Sequence, residues 1–108
     1  MSSLFRFRKY KKVEGSKHKR AKHPKLIVEE DDNNFRFMGL TEAPKRGNHK
    51  YIPLSTNPKK GDKRQAYLRD ELRCDSKNKF EEILNDYSLS EKDLIKIIKF
   101  LEKYKKKK

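Results

Sequence analysis

The sequence predicts an α+β protein: a small, curved, mainly antiparallel sheet of three to four strands packed against C-terminal helices, with a disordered basic N-terminal arm. Two patterns support this. Short apolar segments of period two come first, and an amphipathic segment of helical period closes the chain. The 108 residues fit one domain, but only 32% are hydrophobic and 43% are charged. We therefore expect a thin core and ends that are disordered or depend on a partner.

The first part of the chain is strongly basic. Residues 5–25 carry ten Lys and Arg but only one acid, Glu14, which is typical of a segment that is poorly ordered when free. Pro24 favours an extended conformation at His23 and marks the end of this segment. We accordingly assign residues 1–22 to a flexible arm and residues 23–108 to a single α+β domain.

A hairpin is predicted at the start of that domain. Residues 26–28, Leu-Ile-Val, form the first strand, and residues 35–40 form the return strand. Asp32, Asn33 and Asn34 lie between them and have the side chains that favour a tight turn.

Two further strands are expected to complete the sheet. Residues 51–54 form the third strand, and Pro53 lacks a backbone donor, which favours an edge position or a bulge. Residues 65–75 fit either a strand or a short helix. Their composition favours a helix, whereas the need for another sheet partner favours a strand, and we prefer the strand.

The C-terminal segment has the clearest periodicity. Ser90 is a candidate N-cap, with Asp93 at the N3 position. The apolar residues that follow share one helical face: Leu94, Ile97, Ile98, Leu101 and Tyr104. We predict an amphipathic helix here, ending in a Lys-rich tail, and a shorter helix over residues 80–84.

Charge indicates the kind of partner. The net charge is +14 and the isoelectric point about 9.9, which favours polyanions such as RNA or DNA over neutral partners. No segment approaches the roughly 18 apolar residues of a membrane span. Cys74 is the only cysteine, so neither an internal disulfide nor a cysteine-based zinc site is expected, and a reducing cytoplasmic location fits. Cofactor signatures and metal-ligand spacings are also lacking in the sequence, so we expect no cofactor and no metal.

We expect basic residues in the arm and in two loops to contact the phosphate backbone of RNA or DNA, because Lys and Arg neutralise phosphates. They are Lys17, Lys19, Arg20, Lys22, Lys45, Arg46, Lys50, Lys59, Lys60, Lys63 and Arg64.

Polar residues near the strand ends could also support RNA cleavage without a metal. That reaction requires the 2′-OH to be oriented, two protons to be moved and the charge on the phosphorane to be stabilised. Residues of suitable chemistry include His23, Thr41, Ser55 and Arg69. Three of them also have a purely structural interpretation: His23 as a turn residue before Pro24, Thr41 as a cap of the strand or the following loop, and Ser55 as part of a Ser/Thr turn.

Residues 50–59, Lys-Tyr-Ile-Pro-Leu-Ser-Thr-Asn-Pro-Lys, resemble the Tyr-x-x-Pro-Leu-Ser/Thr-Ser-Pro-Lys stretch of the endoribonucleases of type III toxin–antitoxin systems, the ToxN/AbiQ kind. The match lacks one residue before Pro53 and has Asn57 in addition. This resemblance implies that Ser55 takes part in RNA cleavage, with Lys59 as a neighbouring cation.

A wider pattern is similar to small phage and integrative-element proteins and to the barnase–EndoU–colicin–RelE-like class of metal-independent RNases. It combines Lys22-His23-Pro24, Gly39-Leu40-Thr41, Leu54-Ser55-x-x-Pro58 and Tyr67-Leu68-Arg69. The resemblance implies a site made of His23, Thr41, Ser55 and Arg69.

Two main functions remain open at this point. One is an endoribonuclease of toxin type, for which an antitoxin is the expected partner. In it, His23 transfers protons, Thr41 and Ser55 hold the phosphate, and Lys59 and Arg69 stabilise its charge. The alternative is a non-enzymatic nucleic-acid-binding module of a mobile genetic element. An interaction protein that offers its C-terminal helix to a partner is a third, weaker possibility.

Overall fold

The computed structural model describes residues 3–11, 23–44 and 50–106. These residues form an open antiparallel sheet and one C-terminal helix, so the predicted α+β class is confirmed, with more strands and fewer helices than expected. The elements are β1 (Phe7–Arg8), β2 (Lys25–Glu30), β3 (Asn34–Thr41), β4 (Tyr51–Pro53), β5 (Tyr67–Arg69), β6 (Arg73–Ser76) and α1 (Glu91–Lys106).

Strand β3 is the centre of the sheet. The strand order is β1-β2-β3-β5-β4, and β6 also pairs with β3. The predicted hairpin is confirmed as β2 and β3. Its turn is held by the Asp31 carboxylate, whose Oδ1 accepts the backbone N–H groups of Asn33 at 2.9 Å and Asn34 at 2.7 Å. This side-chain turn explains why polar residues end one strand and begin the next.

The segment that fitted both a strand and a helix is extended, as we preferred. It forms two strands rather than one, because its register against β3 changes. Leu40 pairs with Leu68, whereas Phe37 pairs with Arg73. Between them the Glu71 N–H donates to the Arg69 carbonyl at 2.8 Å, which bends the chain. Strand β3 therefore pairs with β6 along its first half and with β5 along its second half.

One sheet face packs on α1 and forms the larger part of the core. Its buried residues are Phe7, Leu26, Val28, Met38, Leu40, Leu54, Ala66, Leu68, Ile97 and Leu101. The predicted N-cap is present, since Ser90 Oγ accepts the Asp93 N–H at 3.2 Å. Ile98, which we placed on the core face, is 39% exposed. No helix of the described ranges is long and apolar enough to cross a membrane.

The opposite sheet face, which we call the outer face, carries a second apolar cluster. Ile27, Phe35, Phe37 and Phe80 are buried there, with Tyr10 packed against them. The helix predicted over residues 80–84 is wrong. A 3-10 turn, Lys77–Lys79, precedes Phe80, whose backbone is extended, and residues 81–84 follow beside the N-terminal segment without forming a helix or strand.

Hydrogen bonds and burial explain why residues 80–84 do not form a helix. The Glu81 N–H donates to the Lys9 carbonyl at 2.7 Å, and the Leu84 N–H donates to the Phe7 carbonyl at 2.8 Å. An extended conformation also buries the Phe80 ring on the outer face. These tertiary contacts outweigh the local helix propensity of this short segment.

The prediction of a flexible arm is wrong for residues 3–11. Strand β1 pairs with β2, with Phe7 opposite Leu26, and the Phe7 side chain is fully buried. An apolar side chain that fills the core outweighs the basic composition around it. The rest of the predicted arm, residues 1–2 and 12–22, lies outside the described residues.

Candidate functional site

The register of the β2–β3 hairpin directs two of the four predicted catalytic residues to opposed positions. The Leu40 N–H donates to the Pro24 carbonyl at 3.0 Å, which continues the β2–β3 register to the pair His23 and Thr41. Ser55 lies at the same end of the sheet, two residues past the end of β4. Two strand spacings, roughly 10 Å, separate β4 from β3.

Arg69 lies away from that sheet end. It pairs with Tyr51 at the start of β4, whereas Ser55 follows the end of β4. Across β4 and β5, Arg69 and Ser55 are thus about four residues, or roughly 13 Å, apart along the strand direction. The fold brings His23 and Thr41 together and does not bring Arg69 to Ser55.

The backbone at Ser55 and Thr56 is occupied by a buried carboxylate of the protein itself. Asp93 is fully buried, and it accepts the N–H groups of Ser55 at 2.8 Å and of Thr56 at 3.3 Å. The Ser55 and Ser90 hydroxyls are 3.4 Å apart. These contacts tie the end of β4 to the first turn of α1, which is a structural role for the strand end.

The loop that follows is folded by its own polar contacts. Asn57 accepts the Lys59 N–H at 2.9 Å and donates to the Arg64 carbonyl at 2.9 Å. The loop borders a shallow cavity of about 320 Å³ whose wall includes Lys59 and Lys60 but also Asp62 and Asp86. Cations and carboxylates are mixed there, so this cavity has no clear preference for an anion.

The predicted phosphate-binding residues differ in their surroundings. Lys50, Lys59, Lys60 and Lys63 are exposed. Arg64 is exposed too, but it forms ion pairs with Asp62 and Glu42, each at 2.7 Å, and it lowers the pKa of Asp62 to about 2. The six others lie outside the described residues: Lys17, Lys19, Arg20, Lys22, Lys45 and Arg46.

A different set of residues gathers on the outer face, beside the Phe37 cluster. Directly opposed residues in an antiparallel sheet share a face, and so do residues two apart on one strand. The pairs Thr41–Tyr67, Tyr67–Pro53 and Arg69–Tyr51 therefore place these side chains on the outer face. The rings of Tyr51 and Tyr67 contact each other edge-to-face, with centroids 6.3 Å apart at 72°. Both tyrosines and Arg69 are half-buried.

Cations continue this surface across the sheet. Lys25 lies opposite Gly39, and Arg73 lies opposite Phe37, both on the outer face. The Lys25 ammonium lies 4.3 Å from the centroid of the Tyr10 ring and donates to the His23 carbonyl at 2.8 Å. Burial, together with the nearby charges of Arg73 and Lys9, lowers the pKa of Lys25 to about 8. Lys9, Lys25 and Arg73 thus form a cluster of like charge.

The low pKa of Lys25 makes stability depend on pH. Because the folded protein releases this proton at a lower pH than the unfolded chain does, the unfolded chain binds more protons between about pH 8 and 10.5, and stability rises with pH there. We expect the free energy of unfolding to gain about 2 kcal/mol from this group between pH 7.5 and 10.

Chemical denaturation at several pH values checks this expectation. The Lys25→Met variant should lose this gain, while Lys99→Met, a change at an exposed lysine, should keep it. The series should stop at pH 10, because burial and a hydrogen bond to Asp75 raise the pKa of Tyr10 to about 12, which has the opposite effect on stability at higher pH. Equal pH dependence in the two variants would contradict the assignment.

Sequence reasoning missed most of this surface. Lys9, Lys25, Arg73 and Tyr51 were not among the predicted site residues, although Arg69 was. The available signal was the alternation of β2 and β3, which separates Lys25 and Gly39 from the residues that pack on α1.

Within the described ranges, no group of three or more His, Cys, Asp or Glu side chains could hold a metal ion. No family model matches the chain, and neither the curated proteins nor the solved structures include one detectably similar to it.

Proposed function

We propose that this protein binds single-stranded nucleic acid through the outer face of its sheet, with RNA as the first candidate ligand. The observation that carries the proposal is the shared placement of two tyrosines and several cations on one sheet face. Tyr51, Tyr67 and Arg69 lie at one side of this surface, Arg73 continues it, and the buried Lys25 adds its charge from within the sheet. We call these five residues the tyrosine–cation surface.

The chemistry of this surface suits an unpaired strand. Aromatic rings stack on bases of any sequence, and cations neutralise the phosphates between them. Unpaired bases expose the flat faces that such stacking requires, whereas bases within a duplex do not. The net charge of +14 attracts a polyanion over a longer range and favours rapid encounter.

Clustered like charges are a second support. Burial, and after it the charges of Arg73 and Lys9, lower the pKa of Lys25, so this ammonium is repelled by two nearby cations in the free protein. A bound phosphate relieves this repulsion. Two carboxylates lie nearby. Asp75 is engaged by the Tyr10 hydroxyl at 3.0 Å and by Lys79 at 3.1 Å, whereas the exposed Glu71 forms an ion pair with Arg69 at 3.5 Å that a phosphate would replace.

Fluorescence anisotropy with a labelled 12-nucleotide oligouridine tests the proposal. The double variant Arg69→Gln/Arg73→Gln should bind more weakly, and its plot of log K against log salt should be shallower by about 1.4, because two phosphate contacts to a single strand are lost. The Tyr67→Ala variant should weaken binding by about 1–3 kcal/mol through lost stacking.

The matched control removes the same charge from exposed positions of α1, in Lys92→Gln/Lys99→Gln. It should retain nearly all of the affinity. If the control and the Arg69/Arg73 variant lose affinity equally, the attraction is a diffuse effect of net charge and the proposed surface is not the binding site.

Endoribonuclease activity of toxin type is the second candidate, and the proximity of His23 and Thr41 favours it. The same oligonucleotide, incubated with the protein in EDTA, distinguishes the two. The binding module leaves the strand intact. Metal-independent cleavage that disappears in His23→Ala would instead support the nuclease, for which an antitoxin partner would then be sought.

A further inference from the structure

Gly39 occupies an unusual position in the centre of the sheet. It lies within β3, the strand with the most partners, where glycine packs nothing and weakens a strand. Its φ is not in the left-handed region that favours glycine, unlike that of Gly61 at +84°. The backbone conformation at residue 39 therefore does not require glycine.

The missing side chain leaves open space on the outer face. Gly39 lies two residues from both Phe37 and Thr41 on β3, and residues two apart on a strand point to the same face. A Cβ at residue 39 would therefore point to the outer face. No atom of the described residues lies within 4 Å of a Cβ built at this position. Glycine within a strand often marks a place where a ligand approaches the backbone closely.

The residues around the gap form a row across four strands. Lys25 of β2 is the direct partner of Gly39. The β3–β5 register, continued by one residue, places Arg69 on the other side, and Arg69 pairs with Tyr51 of β4. A cation thus flanks Gly39 on each side, and a tyrosine lies beyond one of them.

We propose that Gly39 is the binding site of one nucleobase of a bound single strand. This base lies flat on the backbone of β3, between Lys25 and Arg69. This inference rests on the proposed function and adds where one nucleotide sits. The flat backbone at glycine admits a ring at van der Waals distance, and Arg69 contacts a flanking phosphate. The buried Lys25 adds its positive charge from within the sheet. One ring of the edge-to-face pair Tyr51 and Tyr67 stacks on the next base. An open, side-chain-free patch tolerates any base, so binding has little sequence preference.

The substitution that tests this is Gly39→Val, measured with the labelled oligouridine. Valine suits a strand, so the fold should be retained or stabilised, as thermal unfolding would show. Its two methyl groups fill the gap, and affinity should fall at least tenfold, while the salt dependence of binding stays the same because no charge is lost. The control is Cys74→Val, which places the same branched side chain at an exposed position of β6 on the other sheet face.

The outcomes separate this inference from the proposed function. If the wild-type protein does not bind the oligonucleotide, the proposed function fails. If the wild-type protein and Gly39→Val bind equally well, the proposed function is retained and the proposed nucleobase site at Gly39 is wrong.

Photo-crosslinking of the wild-type protein to an oligonucleotide that contains 4-thiouridine gives a second test, independent of any variant's folding. Crosslinks in the peptides that contain residues 37–41 or 67–69 support the proposed nucleobase site at Gly39. Crosslinks confined to α1 overturn it.

Discussion

Replacing Phe7 with alanine is expected to lower the free energy of unfolding by about 3–5 kcal/mol, as for other large aromatic residues removed from a core. Phe7 is fully buried although it lies in a basic, N-terminal segment. Its ring contacts that of Tyr87, with centroids 5.7 Å apart, and its backbone carbonyl accepts the Leu84 N–H. Urea denaturation measures the loss.

The control for this prediction is Leu4→Ala. Leu4 is three residues away in the same segment but 40% exposed, so its truncation should cost less than about 1 kcal/mol. A small and equal effect of both substitutions would show that residues 3–11 do not form part of the folded core. In that case the original expectation of a flexible arm would be restored.

Replacing Asp93 with alanine is expected to cost about 3 kcal/mol of stability, because hydrogen bonds to a charged group are each worth more than neutral ones. Two backbone N–H groups, of Ser55 and Thr56, would lose their acceptor, and the Lys96 ammonium, 4.0 Å from Asp93, would lose an ion pair. Asp93→Asn should cost somewhat less, because the carboxamide keeps a single oxygen to accept one of the two donors.

Glu91→Ala provides the matched control for Asp93. Glu91 also lies in the first turn of α1, where it favours the helix dipole, but it is exposed. Its loss should cost less than about 1 kcal/mol. If Asp93→Ala were as mild as this control, the link between α1 and the end of β4 would not contribute to stability, and Ser55 would be free for another role.

The parts of the fold that were predictable are those with a strong local pattern. Alternation identified β2 and β3, and helical spacing with a Ser90 cap identified α1. Strand β1 was missed because its charged surroundings indicated disorder, whereas one side chain, Phe7, fixes it in the core. The non-helical segment after Lys79 was missed because its hydrogen-bond partners, Phe7 and Lys9, are about 70 residues away in sequence.

The candidate site shows the same division. Sequence reasoning led to the expectation of a polyanion as partner and named Arg69 as a candidate site residue, since both follow from residue type. It could not identify the tyrosine–cation surface, because that surface depends on the strand order β2-β3-β5-β4, in which β5 inserts between β3 and β4. It also gave no indication that the amides of Ser55 and Thr56 are held by Asp93.

The most direct test of the central claim is to map the oligonucleotide on the protein by NMR. Adding unlabelled oligouridine to ¹⁵N-labelled protein should shift the backbone amide signals of the outer face and leave those of Ile95 and Lys99 on α1 unchanged. The largest shifts are expected at Gly39, Thr41, Tyr51, Tyr67 and Arg69. Shifts concentrated on α1 or in the loop of residues 57–62, with the outer face unaffected, would contradict it.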